Sequence, residues 1–330
     1  MSMRPIELPQ DLKPLTGMLV RTFQYPDHPE WSLQQDEQED IVQMIRSLRR
    51  LWPLLRLFQT MSPSLRDIFR GFIWEEDGTP AGVVLTQREG TTAHWQVAVV
   101  GVLPEYRKKG IARRLLTRSL DELRERAADK VTLGVIDRNV PAYALYRSLG
   151  FEHYDGMVEL HGSPSAAPVV PGIPAGYRRE PLKLSDWRTR YDLDRRIVPP
   201  ATARYAPIEV GRYRPAPLLR VFLPLLRLVR RREEHRMRVV RESDGRVVAV
   251  GRVAVPKRAG GTDSIRVVLD SDCPELADHL VAYHLERAVT RGPGRRIDLT
   301  VPTWMTPVLD AAEAHGLARR LEYHLLGLSL

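Results

Sequence analysis

Apolar positions in the first half of the chain recur with two different periods. Between Ile68 and Val102 they form short runs that predict three strands, the first two joined by a Glu-Asp-Gly turn at residues 76–78. From Gly110 to Ala127 the spacing becomes helical, with a single apolar face. The predicted elements are strand Arg4–Leu8, helices Asp11–Phe23 and Asp36–Gln59, strands Ile68–Glu75, Ala81–Arg88 and Ala93–Val102, helix Gly110–Ala127, strand Val131–Ile136, helix Pro141–Leu149 and strand Phe151–Leu160.

The order of these elements predicts the fold class. A helix separates strand Ala93–Val102 from strand Val131–Ile136, and such a crossover places the two strands parallel in one sheet. The hairpin before them is antiparallel, so the sheet is mixed. We therefore expect an α/β fold in which helices cover both faces of a mixed sheet.

The chain divides at a stretch rich in proline and glycine. Its 330 residues exceed the usual size of one domain, so two domains are expected. Residues 162–176 contain four prolines and three glycines, a composition that resists both helix and strand. We predict a first domain over residues 1–161, a linker over 162–176 and a second domain over 177–330.

The two sides of this linker carry weakly matching landmarks. LWPLLRLF at residues 51–58 and FLPLLRLV at 222–229 agree at five of eight positions. Asp-Gly pairs precede an apolar strand at residues 77–78 and again at 244–245. Landmarks that recur in the same order indicate a duplicated unit, so the two domains are expected to share one fold in tandem.

The net charge of +9 raises the question of a nucleic-acid partner. Only six of the fifty basic residues are lysines, and an arginine bias of this kind requires no such partner. The densest basic run, Arg227–Arg241, is interrupted by two glutamates and is interpreted as a solvated helix end. A nucleic-acid binder is kept as the weaker alternative.

Other classes are disfavoured by composition. No apolar run approaches the roughly 20 residues of a membrane span, and Pro217–Val229, the richest stretch, is interpreted as an amphipathic or core helix. The N-terminal MSMRPIELPQ lacks an apolar signal segment, which predicts a cytoplasmic protein. The single cysteine, Cys273, excludes an internal disulfide and a cysteine-rich metal site, and we expect no metal.

The junction between a strand and a helix at residues 102–113 is the first candidate site. Pro104 ends the strand and the helix begins near Gly110, so the amides of residues 108–113 lack partners within the helix. Such amides, with the helix dipole behind them, bind phosphate. The cations at residues 107–109 oppose the dipole, a conflict that a bound anion would resolve. A solvated basic turn remains the alternative.

Two motifs extend this interpretation. V-x-P-x-x-R-x-x-G-I-A spans Val102–Ala112, and N-x-x-A-x-x-L-Y-x-x-x-G-F follows at Asn139–Phe151. Their order and spacing resemble those of the GNAT superfamily of acetyl-CoA-dependent N-acetyltransferases, and the resemblance covers roughly residues 3 to 161. It implies two tandem GNAT-like acyl-CoA N-acyltransferase domains that use acetyl-CoA as co-substrate.

The resemblance also implies a set of contacts. The backbone of residues 100–102 would pair with the pantetheine arm where the parallel strands splay, and the loop would cradle the pyrophosphate. Asn139 would bond the pantetheine or an ordered water, and Tyr146 would donate a proton to the departing thiolate. The implied acetyl-CoA-binding residues are Val100, Gly101, Val102, Arg107, Lys108, Lys109, Gly110, Ile111, Ala112, Arg113, Asn139 and Tyr146.

The proton acceptor is less clearly indicated. Many members of the family carry a glutamate on the strand before the loop, and here Gln96, which cannot act as a base, stands at that position. His94, two residues earlier on the same strand face, is the best substitute because its imidazole titrates near neutral pH. An ordinary exposed strand histidine is the alternative, and a weakly basic amine would need no base.

The second half repeats this layout without its chemistry. Its counterpart of the phosphate loop, Leu269–Leu285, contains no glycine, and Ala312 stands where the tyrosine would be. Four carboxylates occupy the turn and would repel a diphosphate, namely those of Asp270, Asp272, Glu275 and Asp278. We expect a degenerate domain that covers the acceptor groove or serves in assembly.

The expected reaction is direct attack by an amine on the thioester within one ternary complex. The acceptor is a small-molecule or peptide amine that the sequence does not identify, and the insertion Asp36–Met61 is expected to line its pocket. The chain is expected to act as a monomer or homodimer without a membrane partner. A non-catalytic acyl-CoA sensor is the alternative, because Gln96 replaces an acid.

Overall fold

In a computed structural model, residues 2–61, 69–183, 185–214, 232–256 and 261–330 are described. The strands are β1 Ser2–Pro5, β2 Phe69–Glu76, β3 Thr79–Arg88, β4 His94–Val102, β5 Lys130–Ile136, β6 Glu152–Gly162, β7 Tyr177–Pro181, β8 Arg232–Arg241, β9 Val247–Pro256, β10 Asp263–Leu269, β11 Ile297–Pro302 and β12 Ala318–Ser329. The α-helices are α1 Leu12–Thr22, α2 Gln35–Met61, α3 Ile111–Glu125, α4 Val140–Ser148, α5 Trp187–Ile197, α6 Pro200–Tyr205, α7 Val210–Tyr213, α8 Ala277–Arg291 and α9 Thr306–Ala314.

These twelve strands form one continuous sheet in the order β1-β2-β3-β4-β5-β12-β6-β11-β10-β9-β8-β7. β4 and β5 are parallel, as predicted, and so are β10 and β11, whereas the hairpins are antiparallel. The mixed α/β fold expected from the sequence is confirmed. Among the described helices, none combines the length and apolar character needed to cross a membrane.

Helices cover both faces of the sheet and create separate cores. On one face, α3 and α4 pack on the first-half strands around Leu115, Leu116 and Phe151, and α8 and α9 pack on the second-half strands around Leu280 and Leu299. On the opposite face, α1 packs on β2 and β3. The same face carries α6 over β5, β6 and β12. We call this second face the groove face.

The last strand of each half is exchanged. β6 follows α4 in the chain but pairs with β11 of the second half, and β12 pairs with β5 of the first half. β6 and β12 also pair with each other, antiparallel, at the centre of the sheet. Each half therefore receives a strand from the other, although the division of the sequence at residues 162–176 stays a prediction.

The landmarks of the proposed duplication occupy equivalent turns. Gly78 and Gly245 both adopt a left-handed conformation, with φ of 76° and 70°, between consecutive antiparallel strands. A further pair of glycines is equivalent in the structure: Gly150 and Gly316, with φ of 91° and 82°, both follow the helix that precedes an exchanged strand. Such φ values favour glycine because an L side chain is strained there.

One predicted element is wrong. The basic run Arg227–Arg241 was interpreted as a helix end, but its described part forms β8, paired antiparallel with β9. Met237 and Val239 enter the core while Arg236 and Arg238 stay on the more open side, which is the two-residue period of a strand. Arg236 and Arg238 pair with glutamates, so this run is no bare basic patch. Residues 217–229, predicted as a helix and containing the repeat at 222–229, lie outside the described residues.

Candidate functional site

The parallel strands β4 and β5 separate soon after they start. They pair over three residues, His94–Gln96 against Lys130–Thr132, and then diverge. A bulge in β4 opposite β3 falls at Ala98, where the register shifts. Ala98 and Gly134 are exposed although they lie in central strands, so an open groove begins where the pairing stops.

The loop after β4 ends in two left-handed residues. Lys108 has φ of 61°, and Gly110 has φ of 76° and stands at the N-cap of α3. The amide of Arg114 donates to the carbonyl of Gly110 at 3.1 Å, which is the first bond of the helix. The amides at 110–113 therefore have no intrahelical acceptor and are available to an anion.

The cations of this loop fall into two groups. The Arg107 guanidinium donates to the carbonyls of Val102 and Thr22, at 3.2 and 2.8 Å, and it stacks over the Tyr25 ring. Arg107 thus anchors the loop to the end of α1, a contact that the sequence did not indicate. Lys108 and Lys109 are exposed beside the free amides.

The remaining predicted acetyl-CoA-binding residues lie around α3 and α4. Ile111 is buried in the core, Ala112 is half-buried, and Arg113 donates to the Ser148 hydroxyl at 2.8 Å. The Asn139 side-chain oxygen accepts from the amide of Ala142 at 3.3 Å and caps α4. Its amide nitrogen has no hydrogen-bond partner within the described part of the chain.

Tyr146 lies on α4 beside this cap. Its side chain is 8% exposed and its ring meets Phe151 edge to face. Burial raises the pKa of Tyr146 well above its usual range, and the nearby Tyr25 adds to the rise. The phenol therefore keeps its proton throughout the neutral range.

His94 and Gln96 lie on the groove face but at different distances from the gap. Gln96 belongs to the last paired rung and accepts from Gln87 at 3.1 Å. His94, only 4% exposed, is the first residue of β4, about 20 Å along the strand from Val100. The alternative of an exposed strand histidine is therefore wrong.

The second half holds His94 in place. Glu209 Oε1 lies 3.0 Å from His94 Nε2, and Nδ1 is buried with no partner in the described part of the chain. The same segment continues onto the β3–β4 turn, where the amide of Thr91 donates to the carbonyl of Gly211 at 3.0 Å. The sequence PIEVGRY of this segment carries no motif from which the contact could have been predicted.

The equivalent crevice of the second half is built differently. β10 and β11 also pair over only three residues, but the turn that follows carries carboxylates and no glycine. Asp270 pairs with Arg196 at 3.4 Å, and Asp278 lies 2.6 Å from His315. Ala312, at the tyrosine position, is fully buried.

A cluster of three carboxylates lies near the centre of the sheet, on the groove face. Oxygen atoms of Glu37, Glu159 and Asp298 approach within 4.8 Å of one another. Arg296 bonds Asp298 at 2.8 Å and Arg320 bonds Glu159 at 2.8 Å, while Arg320 also bonds Glu37. These partners make the cluster an ion-pair network between the halves, which we call the junction network.

Part of the chain is similar to known acetyltransferases. Residues 26–151 match the model of the acetyltransferase (GNAT) family. A mycothiol acetyltransferase of Thermobispora bispora is 39% identical over 92 residues, which are 23% of this chain and 31% of that protein. N-alpha-acetyltransferase 30 of Schizosaccharomyces pombe is 34% identical over 76 residues, which are 22% of this chain and 51% of that protein. The matched segments thus span only 31% and 51% of the lengths of these two relatives.

Solved structures match over the whole chain. A tandem GNAT protein from the clavulanic acid biosynthesis pathway superposes with a TM-score of 0.65 and 14% identity, covering 99% of this chain and 98% of that one. Identity this low establishes a shared fold only. The likeness nonetheless includes both halves.

Proposed function

We propose that the N-terminal half of this chain, where residues 26–151 match the acetyltransferase (GNAT) family, transfers the acetyl group of acetyl-CoA to an amine. The observation that carries the proposal is the gap between β4 and β5, which opens beside the free amides of residues 110–113. Backbone groups unpaired at a sheet gap and at a helix N-terminus suit a ligand that has both an extended amide arm and a diphosphate.

The residues present fit acetyl-CoA. The backbone of residues 100–102 borders the gap and would hold the pantetheine arm as an added strand. Lys108 and Lys109 would meet the pyrophosphate together with the amides of α3. The free amide nitrogen of Asn139 would bond the arm from the α4 side. When bound, acetyl-CoA supplies an activated thioester.

The chain would contribute proton transfer and positioning. The new carbon–nitrogen bond forms as the carbon–sulfur bond breaks, so the leaving sulfur gains a proton and the amine loses one. Tyr146, held neutral by burial, would donate the first proton. About 20 Å of strand separates His94 from Val100. His94 would therefore accept the proton of the amine through a chain of water molecules that runs past Gln96. Glu209 would hold the imidazole in place.

Two measurements test this function. Calorimetry should detect saturable binding of acetyl-CoA to the full chain, and Gly110→Glu should abolish it by placing a carboxylate among the phosphates. Thiol release with a panel of amines should then detect turnover. Absence of binding at millimolar concentrations of chain and ligand would contradict the proposal.

An acyl-CoA sensor is the second candidate. It is favoured by one observation, the distance of about 20 Å along β4 between His94 and Val100, since Gln96 itself cannot accept a proton. A sensor would bind acetyl-CoA and release no thiol with any amine. The same panel therefore separates the two candidates.

A further inference from the structure

A cavity of about 470 Å³ lies between the two halves of the chain. Its walls come from β6, β12 and α6 and from the turns that follow β5 and β11, so both halves contribute. We call it the junction pocket. Its volume is within the range of sites for small ligands.

The charge of the junction pocket is opposite to that of the chain. Asp137, Asp155 and Glu322 line it, and none of its lining residues is a lysine or arginine, although the chain carries fifty of them. Arg319 pairs with Glu322 from outside at 3.0 Å, and Arg138 lies 3.9 Å from Asp137. The pocket therefore presents acceptors and negative charge to its contents.

Asp155 is the carboxylate with no cation beside it. Its oxygens accept from the Thr202 hydroxyl at 2.7 Å and from the amide of Gly156 at 2.7 Å, both neutral donors. No ion pair to Asp155 occurs within the described residues. Burial raises the pKa of Tyr154, a residue of the pocket wall, above the usual range, and the negative charge of Asp155 adds to the rise. A half-buried carboxylate of this kind suits a cationic ligand.

Aromatic groups complete the walls of the junction pocket. Tyr154, Trp304 and Tyr323 all contribute to its lining. The indole nitrogen of Trp304 is buried and has no hydrogen-bond partner among the described residues. Aromatic faces attract alkylammonium groups, and an unmet indole N–H suits a ligand that also carries an acceptor.

The Asp155 side of the junction pocket lies on the groove face, under α6. Asp155 is opposite Leu325, and Leu325 is opposite Gly134, the exposed residue beside the gap between β4 and β5. Two strand spacings separate Asp155 from Gly134, a distance of about 10 Å. A molecule that binds Asp155 with one end can thus reach the gap with the other.

We propose that the junction pocket binds a positively charged end of the acceptor, with Asp155 as its counter-ion. The acceptor is then a di- or polycationic amine whose reacting nitrogen is about 10 Å from a second cationic group. This inference rests on the proposed acetyl transfer for the identity of the reacting nitrogen. The binding of the cationic group by Asp155 does not depend on acetyl transfer.

Acetylation kinetics with three amines test the proposal. Spermidine spans the required distance, putrescine is shorter, and n-butylamine carries a single charge. Spermidine should have the lowest KM. Asp155→Asn should raise the KM for spermidine about tenfold to a hundredfold, as expected for a lost charge-assisted hydrogen bond, and should change kcat less than twofold. Acetyl-CoA affinity should not change.

Two further variants complete the design. Asp121→Asn removes an exposed carboxylate that pairs with Arg124 on α3, and it should leave all constants unchanged. Glu322→Gln should raise the KM for spermidine by less than Asp155→Asn, because Arg319 already compensates its charge. Circular dichroism establishes whether each variant is folded. If Asp155→Asn does not fold, the rise in the KM for spermidine in Glu322→Gln becomes the test.

Equilibrium binding separates this proposal from the proposed function. Spermidine is titrated into the chain without acetyl-CoA while tryptophan fluorescence is followed. Binding that weakens in Asp155→Asn supports the junction pocket even if no amine is acetylated, in which case only the transfer fails. Equal KM values for spermidine and n-butylamine, unchanged constants in Asp155→Asn, or no spermidine binding at all would each overturn the inference.

Discussion

At the scale of single residues, Gly110 determines whether the loop before α3 can present its amides. A Cβ at this position would meet no atom within 4 Å, so space is not the reason for glycine. The backbone conformation is the reason, because φ is 76° and this left-handed conformation costs a residue with a Cβ roughly 1 to 2 kcal/mol. The proposed phosphate loop therefore depends on a left-handed conformation that glycine adopts at least cost.

Gly110→Ala should weaken acetyl-CoA binding about five- to thirtyfold, because the strain is relieved by moving the amides out of line. Calorimetry measures this change. Gly78→Ala is a matched control, since Gly78 also has φ of 76° and open space around it but lies in the β2–β3 turn. It should lower stability without changing affinity. Equal affinities for both variants would contradict the role given to the loop.

Tyr146→Phe should lower kcat by about a hundredfold or more with little change in acetyl-CoA affinity, because a positioned acid contributes that much. Burial raises the pKa of Tyr146, so the phenol should cause no loss of activity with rising pH anywhere in the neutral range. Steady-state rates against pH check both points. Tyr143→Phe, one turn earlier and packed against His324, should retain activity within about twofold. A fully active Tyr146→Phe would remove the tyrosine from the mechanism.

At the scale of elements, the junction network ties the start of α2 to the exchanged strands. Glu37 comes from α2, Glu159 from β6 and Arg320 from β12, and Arg296 precedes β11. Burial raises the pKa of Asp298 to about 6 in spite of its bond to Arg296. Asp298 is thus a half-buried acid that the fold keeps partly protonated in mild acid.

Replacing Asp298 should change how stability depends on pH. Between pH 3.8 and about 6 the folded state holds this proton and the unfolded state releases it, so the free energy of unfolding falls as pH rises. Asp298→Asn should remove this fall, which amounts to at most about 3 kcal/mol. Urea unfolding across the window measures it. Asp244→Asn is the control, because the pKa of Asp244 is lowered to about 2 and it titrates below the window.

The elements of the first half could be predicted from sequence because their periods are strong. The predicted bounds of α1 and β5 agree with the structure to one residue. The pairing of β6 and β12 could not be predicted, since both have the same alternation and nothing local specifies a partner. The contact of Glu209 with His94 was missed for the same reason, as it joins residues 115 positions apart. The alternation of β8 is hard to recognise in the sequence because arginines surround its apolar positions.

At the scale of the whole molecule, the two halves share a layout but differ in charge at the equivalent turn. The first presents Lys108, Lys109 and Gly110, and the second presents Asp270 and Glu275 with no glycine. Each like-charge contact with a diphosphate costs on the order of 1 kcal/mol at an exposed site. The second half would thus serve the acceptor side of a site that lies in the first.

Titration of the full chain should therefore give one acetyl-CoA per chain. Calorimetry gives the ratio, and Gly110→Glu should reduce it to zero rather than to one, because no second site remains. The double variant Asp270→Asn with Glu275→Gln is the counterpart, and it should leave the ratio at one. A ratio near two in the unaltered chain would show that the second half also binds acetyl-CoA.

The strand exchange has a consequence for co-translational folding. β5 ends at Ile136, but its neighbour β12 begins only at Ala318 and ends at Ser329. At the usual pace of translation roughly 10 to 40 s pass between the two on the ribosome. During that time β5 has an open edge of the kind that recruits foreign strands. A chain that stops before β12 leaves this edge of β5 unpaired, so the proposed site depends on a strand made long after its own.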